Sequence, residues 1–217
     1  MVAALSMAKV VLDEKLYKED FMVEQTDMPF LVRLDNQEFL REKDYPVIFA
    51  DDLSKELLKN SKDVKKEIIE LFGATAYNGS EINTDFLAME VFSDPHKLQK
   101  INSILHPKVI EQINREVEEL KKNNKLIFVE AALVYEANIE KLFDYVVLIT
   151  ADEEIKKHRT VESKKFSSEE FDKRIQNQIK DEEKSKRADF IFFNNTTRND
   201  LGIKADLLLL TLNSLLK

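Results

Sequence analysis

Short apolar runs rich in β-branched and aromatic residues recur along the chain, at residues 46–50, 126–130, 145–149 and 190–193. Each run is continuous rather than alternating, which is typical of strands that are buried on both faces. Stretches with helical periodicity separate the runs. Strands that alternate with helices predict an α/β fold in three layers, with a parallel, doubly wound sheet between helices.

The predicted helices have recognisable ends. Residues 107–122 carry apolar side chains at helical spacing, and we expect Pro107 in the first turn, where its missing N–H costs nothing. Residues 167–184 open with Ser-Ser-Glu-Glu, a capping-box pattern. The last helix, at about residues 201–216, is rich in leucine and is expected to pack on the sheet.

The pattern is weakest in residues 1–44. Residues 1–11 are apolar, and we interpret them as a strand or the start of a helix. They are too short to span a bilayer and have no basic leader, so we expect neither a membrane segment nor a targeting peptide. Residues 30–34 are a candidate strand, whereas residues 15–24 show no clear period.

Composition narrows the kinds of function. The 217 residues, 43% of them hydrophobic, predict a single domain with a buried core. Its 33 basic and 41 acidic residues give a net charge of -8, which argues against general nucleic-acid binding. The absence of cysteine indicates a reducing, cytoplasmic setting, and three scattered histidines argue against a zinc site, so we expect no protein-bound metal.

Polar residues follow two of the predicted strands. In a doubly wound sheet, functional groups lie on loops beyond the carboxyl ends of the strands. Asp51 and Asp52 follow the first run, and Glu130 and Glu136 lie at and after the end of the second. The two glutamates are either paired carboxylates or, as we favour, solvated or ion-paired side chains.

Ordered segments from about residue 45 to the C-terminus carry a family resemblance. They are Tyr-Pro-Val-Ile-Phe-Ala-Asp-Asp-Leu at 45–53, Ile-Glu-Leu-Phe-Gly at 69–73, Val-Phe-Ser-Asp-Pro at 91–95, Ile-Leu-His-Pro at 104–107, Leu-Val-Tyr-Glu at 133–136, Arg-Ile-Gln-Asn-Gln at 174–178 and Ala-Asp-Phe-Ile-Phe-Phe-Asn at 188–194. Their order and spacing resemble the dephospho-coenzyme A kinase family throughout.

The resemblance implies a P-loop kinase fold in one domain, residues 1–217. A helical acceptor lobe would occupy about residues 74–106 and a lid about residues 151–184, with residues 1–44 divergent. The implied reaction uses ATP and magnesium to phosphorylate the ribose 3′-hydroxyl of dephospho-coenzyme A, the last step of coenzyme A synthesis.

The resemblance also implies roles for individual residues. Asp51 would be the catalytic base at the acceptor hydroxyl, while His106 and Glu136 would bind the substrate. The nucleotide side would use the following residues: Arg159 and Arg174 facing phosphates, and Asn194 near the adenine.

Ordinary structural roles compete with these functional ones. Asp51 is expected otherwise to cap a helix at about residues 53–59. His106 would end a helix and hydrogen-bond locally, and Arg159 and Arg174 would meet water or a glutamate one turn away. Both interpretations stay open for each residue.

The phosphate-binding loop of the family is missing from its expected place. That loop has the form G-x-x-x-x-G-K-[ST], in which successive backbone N–H groups converge on phosphate. Counting back from Val47 without gaps places it at residues 26–35, where Arg33 falls on the lysine position and no glycine occurs. No glycine precedes Gly73 in the sequence, so an alignment with gaps does not restore the loop either. Other departures at phosphate-facing positions are Phe49, Thr84, Ala132 and Ser163.

Two hypotheses follow. The first is a divergent kinase that holds ATP and magnesium by another arrangement, with its activity impaired. The second is an inactive pseudokinase without a cofactor, which binds coenzyme A, a nucleotide or a protein partner. Dephospho-coenzyme A or coenzyme A is the expected small-molecule ligand in both, and neither nucleic acid nor membrane is an expected partner.

Overall fold

The computed structural model describes residues 2–6, 40, 43–131, 134–162 and 179–216. Its strands are β1 Val2–Ser6, β2 Val47–Phe49, β3 Tyr77–Asn78, β4 Glu81–Ile82, β5 Ile127–Ala131, β6 Tyr145–Thr150 and β7 Phe190–Phe193. Its α-helices are α1 Ala50–Asn60, α2 Lys62–Phe72, α3 Thr84–Ser93, α4 Pro95–Leu120, α5 Glu153–Glu162, α6 Asp181–Arg187 and α7 Arg198–Leu215. Short 3-10 turns lie at Ala74–Ala76 and Glu140–Leu142.

A five-stranded sheet in the order β2-β5-β1-β6-β7 forms the centre of the molecule. Every neighbouring pair in it is parallel, which confirms the predicted doubly wound α/β architecture. The four predicted apolar runs correspond to β2, β5, β6 and β7. For residues 1–11, the strand interpretation is confirmed at Val2–Ser6, which is the middle strand.

Apolar side chains cover the sheet on both faces. On one face, Phe128 and Val147 pack with Leu201, Leu208 and Leu212 of α7. This contact confirms that the last helix packs on the sheet. On the other face, the cluster contains residues of β5, α1 and α4: Ile127, Val129, Leu53, Val109 and Ile113. The molecule therefore has the three layers that the pattern predicts.

A separate apolar cluster forms a helical lobe from α2, the β3–β4 hairpin, α3 and the first half of α4. Its buried side chains include Leu58, Val64, Ile68, Ile101 and Leu105. Within it the Tyr77 hydroxyl donates a hydrogen bond of 2.8 Å to the carbonyl oxygen of Leu58. Burial raises the pKa of Tyr77 to about 12. The long helix α4 thus belongs to the lobe at its start and to the sheet at its end.

The prediction for Pro107 is wrong. Helix α4 begins at Pro95, and the Asp94 side chain caps it by accepting a hydrogen bond of 2.9 Å from the amide of His96. Pro107 lies inside this helix, although an interior proline removes one backbone hydrogen bond. Because α4 is packed on both sides of Pro107, by Leu105 in the lobe and Val109 on the sheet, the helix continues through it.

The predicted helix at residues 167–184 is wrong at its C-terminal end. Residues 163–178 lie outside the described residues, and residues 179 and 180 are not helical. Helix α6 begins only at Asp181, after Lys180 in an extended conformation with ψ 143°. Its first turn is acidic and its last turn basic, which suits the helix dipole.

Candidate functional site

The carboxyl ends of the five parallel strands form one edge of the sheet. Ser6 at the end of β1 is in register with Ala131 of β5 and Leu148 of β6. The chain continues from β1 to β2 on one side of the sheet and from β6 to β7 on the other. Such a reversal between neighbouring strands leaves a crevice beyond their carboxyl ends, where ligands bind in open α/β sheets.

Asp51 lies at this edge, in the first turn of α1. The helix begins at Ala50, its N-cap is Phe49, and no side chain caps it, so the interpretation of Asp51 as a cap for a helix at residues 53–59 is wrong. The side chain is half-buried in the first turn, where the positive end of the helix dipole attracts a carboxylate. A carboxylate is thereby held at the edge of the sheet without a capping role.

Glu130 is buried next to the same place, with 8% of its surface exposed. It is in register with Phe49 of β2 and Leu5 of β1, two strands that end at the site. The solvated interpretation of this residue is therefore wrong. An acidic residue near the end of an otherwise apolar strand is the sequence signal for such a site, since burying a carboxylate is costly unless it has a function or partner.

His106 lies inside α4, so the interpretation that it ends a helix is wrong. It falls between Leu105 of the lobe and Val109 of the sheet cluster. His106 therefore lies where α4 passes from the helical lobe to the sheet. Burial lowers the pKa of His106, so its imidazole is neutral at pH 7 and offers one hydrogen-bond donor and one acceptor.

Glu136 is ion-paired, which confirms one of the two interpretations that we favour for it. Its Oε1 lies 2.6 Å from Nζ of Lys184, a residue of α6 that is fully buried. Both carboxylate oxygens of Glu136 are buried too. In this arrangement, the charge of the Glu136 carboxylate is paired with a lysine of the protein itself.

Two residues predicted for the nucleotide side are in direct contact. Nη1 of Arg159, on α5, donates a hydrogen bond of 2.8 Å to the carbonyl oxygen of Asn194. Asn194 follows β7 directly and is buried. Its backbone N–H donates a hydrogen bond of 2.7 Å to the backbone carbonyl oxygen of Thr150. The guanidinium is therefore held beyond the ends of β6 and β7.

A second set of contacts joins α5 and α6 to the end of β6. The Asp181 carboxylate accepts hydrogen bonds from the Thr150 hydroxyl and from Nζ of Lys156. The amide of Asp152 donates a hydrogen bond of 2.8 Å to Oδ1 of Asn195. These contacts fix the base of the segment that leads from α5 to α6.

Some predicted residues lie outside the described ones. They are Arg33, with the segment 26–35, and Arg174, whose roles stay predictions. Within the described ranges, no three histidine, aspartate or glutamate side chains are grouped as a metal site. No described helix has the length and apolar character that a membrane crossing requires.

The chain is similar to known proteins over most of its length. The family model of dephospho-CoA kinase matches residues 36–200. Dephospho-CoA kinase of Fusobacterium nucleatum is 34% identical over 169 residues, which cover 77% of this chain and 86% of that protein. The enzyme of Enterococcus faecalis is 31% identical over 157 residues, covering 72% of this chain and 79% of that protein.

Solved structures share the fold. The crystal structure of TT1252 from Thermus thermophilus has a TM-score of 0.72 at 24% identity, covering 98% of this chain and 97% of that one. Dephospho-CoA kinase from Campylobacter jejuni has a TM-score of 0.66 at 22% identity, covering 98% of each chain. The fold is thus that of the P-loop kinases, and the chain belongs to the dephospho-CoA kinase family.

Proposed function

We propose that this protein transfers the terminal phosphoryl group of ATP to the ribose 3′-hydroxyl of dephospho-coenzyme A in the cytoplasm. The observation that carries the proposal is the position of Asp51, held at the carboxyl edge of the sheet by the start of α1. In phosphoryl transfer, a carboxylate at this kind of site accepts the proton of the attacking hydroxyl. Asp51 is therefore assigned as the base.

The acceptor binds on the side of α1 and α4. There the helical lobe meets the sheet at His106, whose neutral imidazole can donate to or accept from a hydroxyl or phosphate oxygen. The helical lobe of α2, α3 and the first half of α4 would bind dephospho-coenzyme A. Glu136, held by Lys184, supports the turn after β5 on the same side of the sheet.

ATP binds on the side of α5 and β7. Arg159 is held by Asn194 at the ends of β6 and β7, where its charge can offset that of the phosphates. Bound Mg²⁺ supplies further charge neutralisation at the transferred group. Because Mg²⁺ binds through one or two carboxylates together with substrate phosphates, the Glu130 carboxylate would hold it without a larger cluster of ligands, while Asp51 keeps the role of the base.

The experiment is ADP release from purified protein with ATP, Mg²⁺ and dephospho-coenzyme A. The wild type is expected to release ADP only when all three are present. Asp51→Asn removes the base without changing side-chain size and should lower kcat by about 10²–10⁴-fold. The matched control is Asp63→Asn, an exposed aspartate in the first turn of α2, and it should keep full activity.

A second function is favoured by the missing glycines. No glycine precedes Gly73, and the family match begins only at residue 36. A protein that lacks the phosphate-binding loop would keep the acceptor side and bind coenzyme A without turnover. Isothermal titration separates the two functions, since micromolar binding of ATP with Mg²⁺ supports the kinase. Binding of coenzyme A with no ATP binding and no ADP release would establish the pseudokinase.

A further inference from the structure

The turn after β5 is closely built. The amide of Ile139 donates a hydrogen bond of 3.0 Å to the carbonyl oxygen of Val134, and Asn138 takes the left-handed conformation with φ 53°. Val134 and Tyr135 have no exposed surface. A short 3-10 turn, Glu140–Leu142, follows directly. The segment 134–142 therefore presents Glu136 and Glu140 from a defined backbone.

Helix α6 meets this turn with two cations on one face. Lys184 and Arg187 are three residues apart, a spacing that puts both on the same side of a helix. Lys184 pairs with Glu136 at 2.6 Å, and Arg187 pairs with Glu140. The Arg187 guanidinium also lies 4.8 Å from the centre of the Tyr135 ring. We call these two ion pairs the α6–turn contact.

Burial separates the Lys184–Glu136 pair from an ordinary surface ion pair. Lys184 has no exposed surface, both Glu136 oxygens are buried, and the 2.6 Å contact between Nζ and Oε1 is the one contact that the structure gives for these charged atoms among the described residues. Attraction between the charges therefore holds them together. Because both oxygens of Glu136 are buried, a substrate cannot reach them while the pair is formed.

We infer that Lys184 is a positioning residue, which holds Glu136 and with it the turn 134–139 in place beside the acceptor. This inference rests on the proposed function, and it replaces direct contact between Glu136 and substrate with an anchoring role. The turn begins at Val134, shortly after β5 ends at Ala131, and Glu130 of the candidate site lies at that end of the strand. Loss of the pair would shift this turn and so weaken acceptor binding, while ATP binding at Arg159 would be unaffected.

The test is a double-mutant cycle of Glu136→Gln, Lys184→Met and the double variant. Each single variant leaves one buried charge without its partner, which should lower Tm by about 5–15 °C. The double variant has neither charge, so it should lose less than the sum of the two single losses. The matched controls, Lys186→Met and Glu182→Gln, change exposed residues of the same helix and should leave Tm unchanged.

Kinetics of the same variants test the positioning role. Both single variants should raise KM for dephospho-coenzyme A by about tenfold or more, with KM for ATP unchanged. If a variant does not fold at 25 °C, the milder Glu136→Asp, which keeps the charge, takes its place and should bind the acceptor better than Glu136→Gln.

The outcomes separate this inference from the proposed function. Additive losses of Tm would mean that Lys184 and Glu136 do not act as a pair. A rise in KM for Glu136→Gln that is equally large in the Lys184→Met background would mean that Glu136 contacts the substrate directly. Either result would overturn the inference alone. A wild-type protein that neither binds nor phosphorylates dephospho-coenzyme A would overturn the proposed function and, with it, the positioning role.

Discussion

Nη1 of Arg159 lies 2.8 Å from the carbonyl oxygen of Asn194, so a cationic side chain of α5 is fixed to the residue that follows β7. Asn194 is in turn joined to the end of β6 through Thr150 at 2.7 Å. One hydrogen-bond chain therefore connects α5 with both strands on the nucleotide side of the sheet. A guanidinium held in this way is already oriented before a ligand arrives.

Arg159→Lys is expected to raise KM for ATP by about tenfold to a hundredfold, because lysine keeps the charge but not the fork of donors that both holds Asn194 and reaches phosphate. KM for dephospho-coenzyme A should stay unchanged. Steady-state kinetics with each substrate varied in turn measures both values. Arg115→Lys, at an exposed arginine of α4, serves as the control, and an equal rise in both KM values would contradict the assignment.

The helix cap before α7 gives a prediction on stability alone. The Thr197 hydroxyl accepts a hydrogen bond of 3.3 Å from the amide of Asp200, and the Asp200 carboxylate accepts one from the amide of Thr197. Thr197→Ala removes half of this capping box and should lower Tm by about 2–4 °C. Thermal unfolding measures the shift. Thr197→Ser keeps the hydroxyl and should therefore have a Tm close to that of the wild type. Equal losses of Tm in both variants would argue against the cap.

The strands could be predicted from sequence because buried strands consist of runs of apolar, β-branched and aromatic residues. Residues of β5 are buried along its whole length, and a strand covered on both faces is mainly apolar, with Glu130 as the polar exception near its end. The order of strands in space is different, because it depends on crossover connections that no local pattern records. Thus the sequence predicts β5 as a strand, but not that β1 separates it from β6.

Two features of the structure could not be predicted from the sequence: the continuation of α4 through Pro107 and the pairing of Lys184 with Glu136. Pro107 suits a helix start by the usual rule, but packing on both the lobe and the sheet carries α4 through it. Lys184 reads as one lysine among several in a charged segment, and only the fold brings it to Glu136. Sequence spacing alone predicts contacts within a helix, whereas ion pairs between distant segments need the three-dimensional structure.

The buried hydroxyl of Tyr77 predicts a specific weakening of the helical lobe. Tyr77→Phe removes the donor to the Leu58 carbonyl, which then stays buried without that partner, so the free energy of unfolding should fall by about 1–3 kcal/mol. Urea unfolding measures this free energy.

The raised pKa of Tyr77, about 12, gives a separate prediction. This phenol stays protonated when exposed tyrosines ionise, so the absorbance titration of Tyr77→Phe should lack only a group that ionises late. Loss of an early-ionising group would contradict the burial.

His106 predicts how stability changes with pH. Burial lowers its pKa in the folded protein, so the unfolded chain binds a proton first as the pH falls. The contribution of the neutral imidazole is therefore complete above about pH 6.5 and is lost as the pH falls from there through the folded pKa. Tm of the wild type should decline between about pH 7 and pH 5, and His106→Gln should remove that part of the decline. His96→Gln, at an exposed histidine of the same helix, should keep it. A decline of equal size in His106→Gln and the wild type would show that other groups cause it and that His106 is not a half-buried neutral imidazole at the candidate acceptor site.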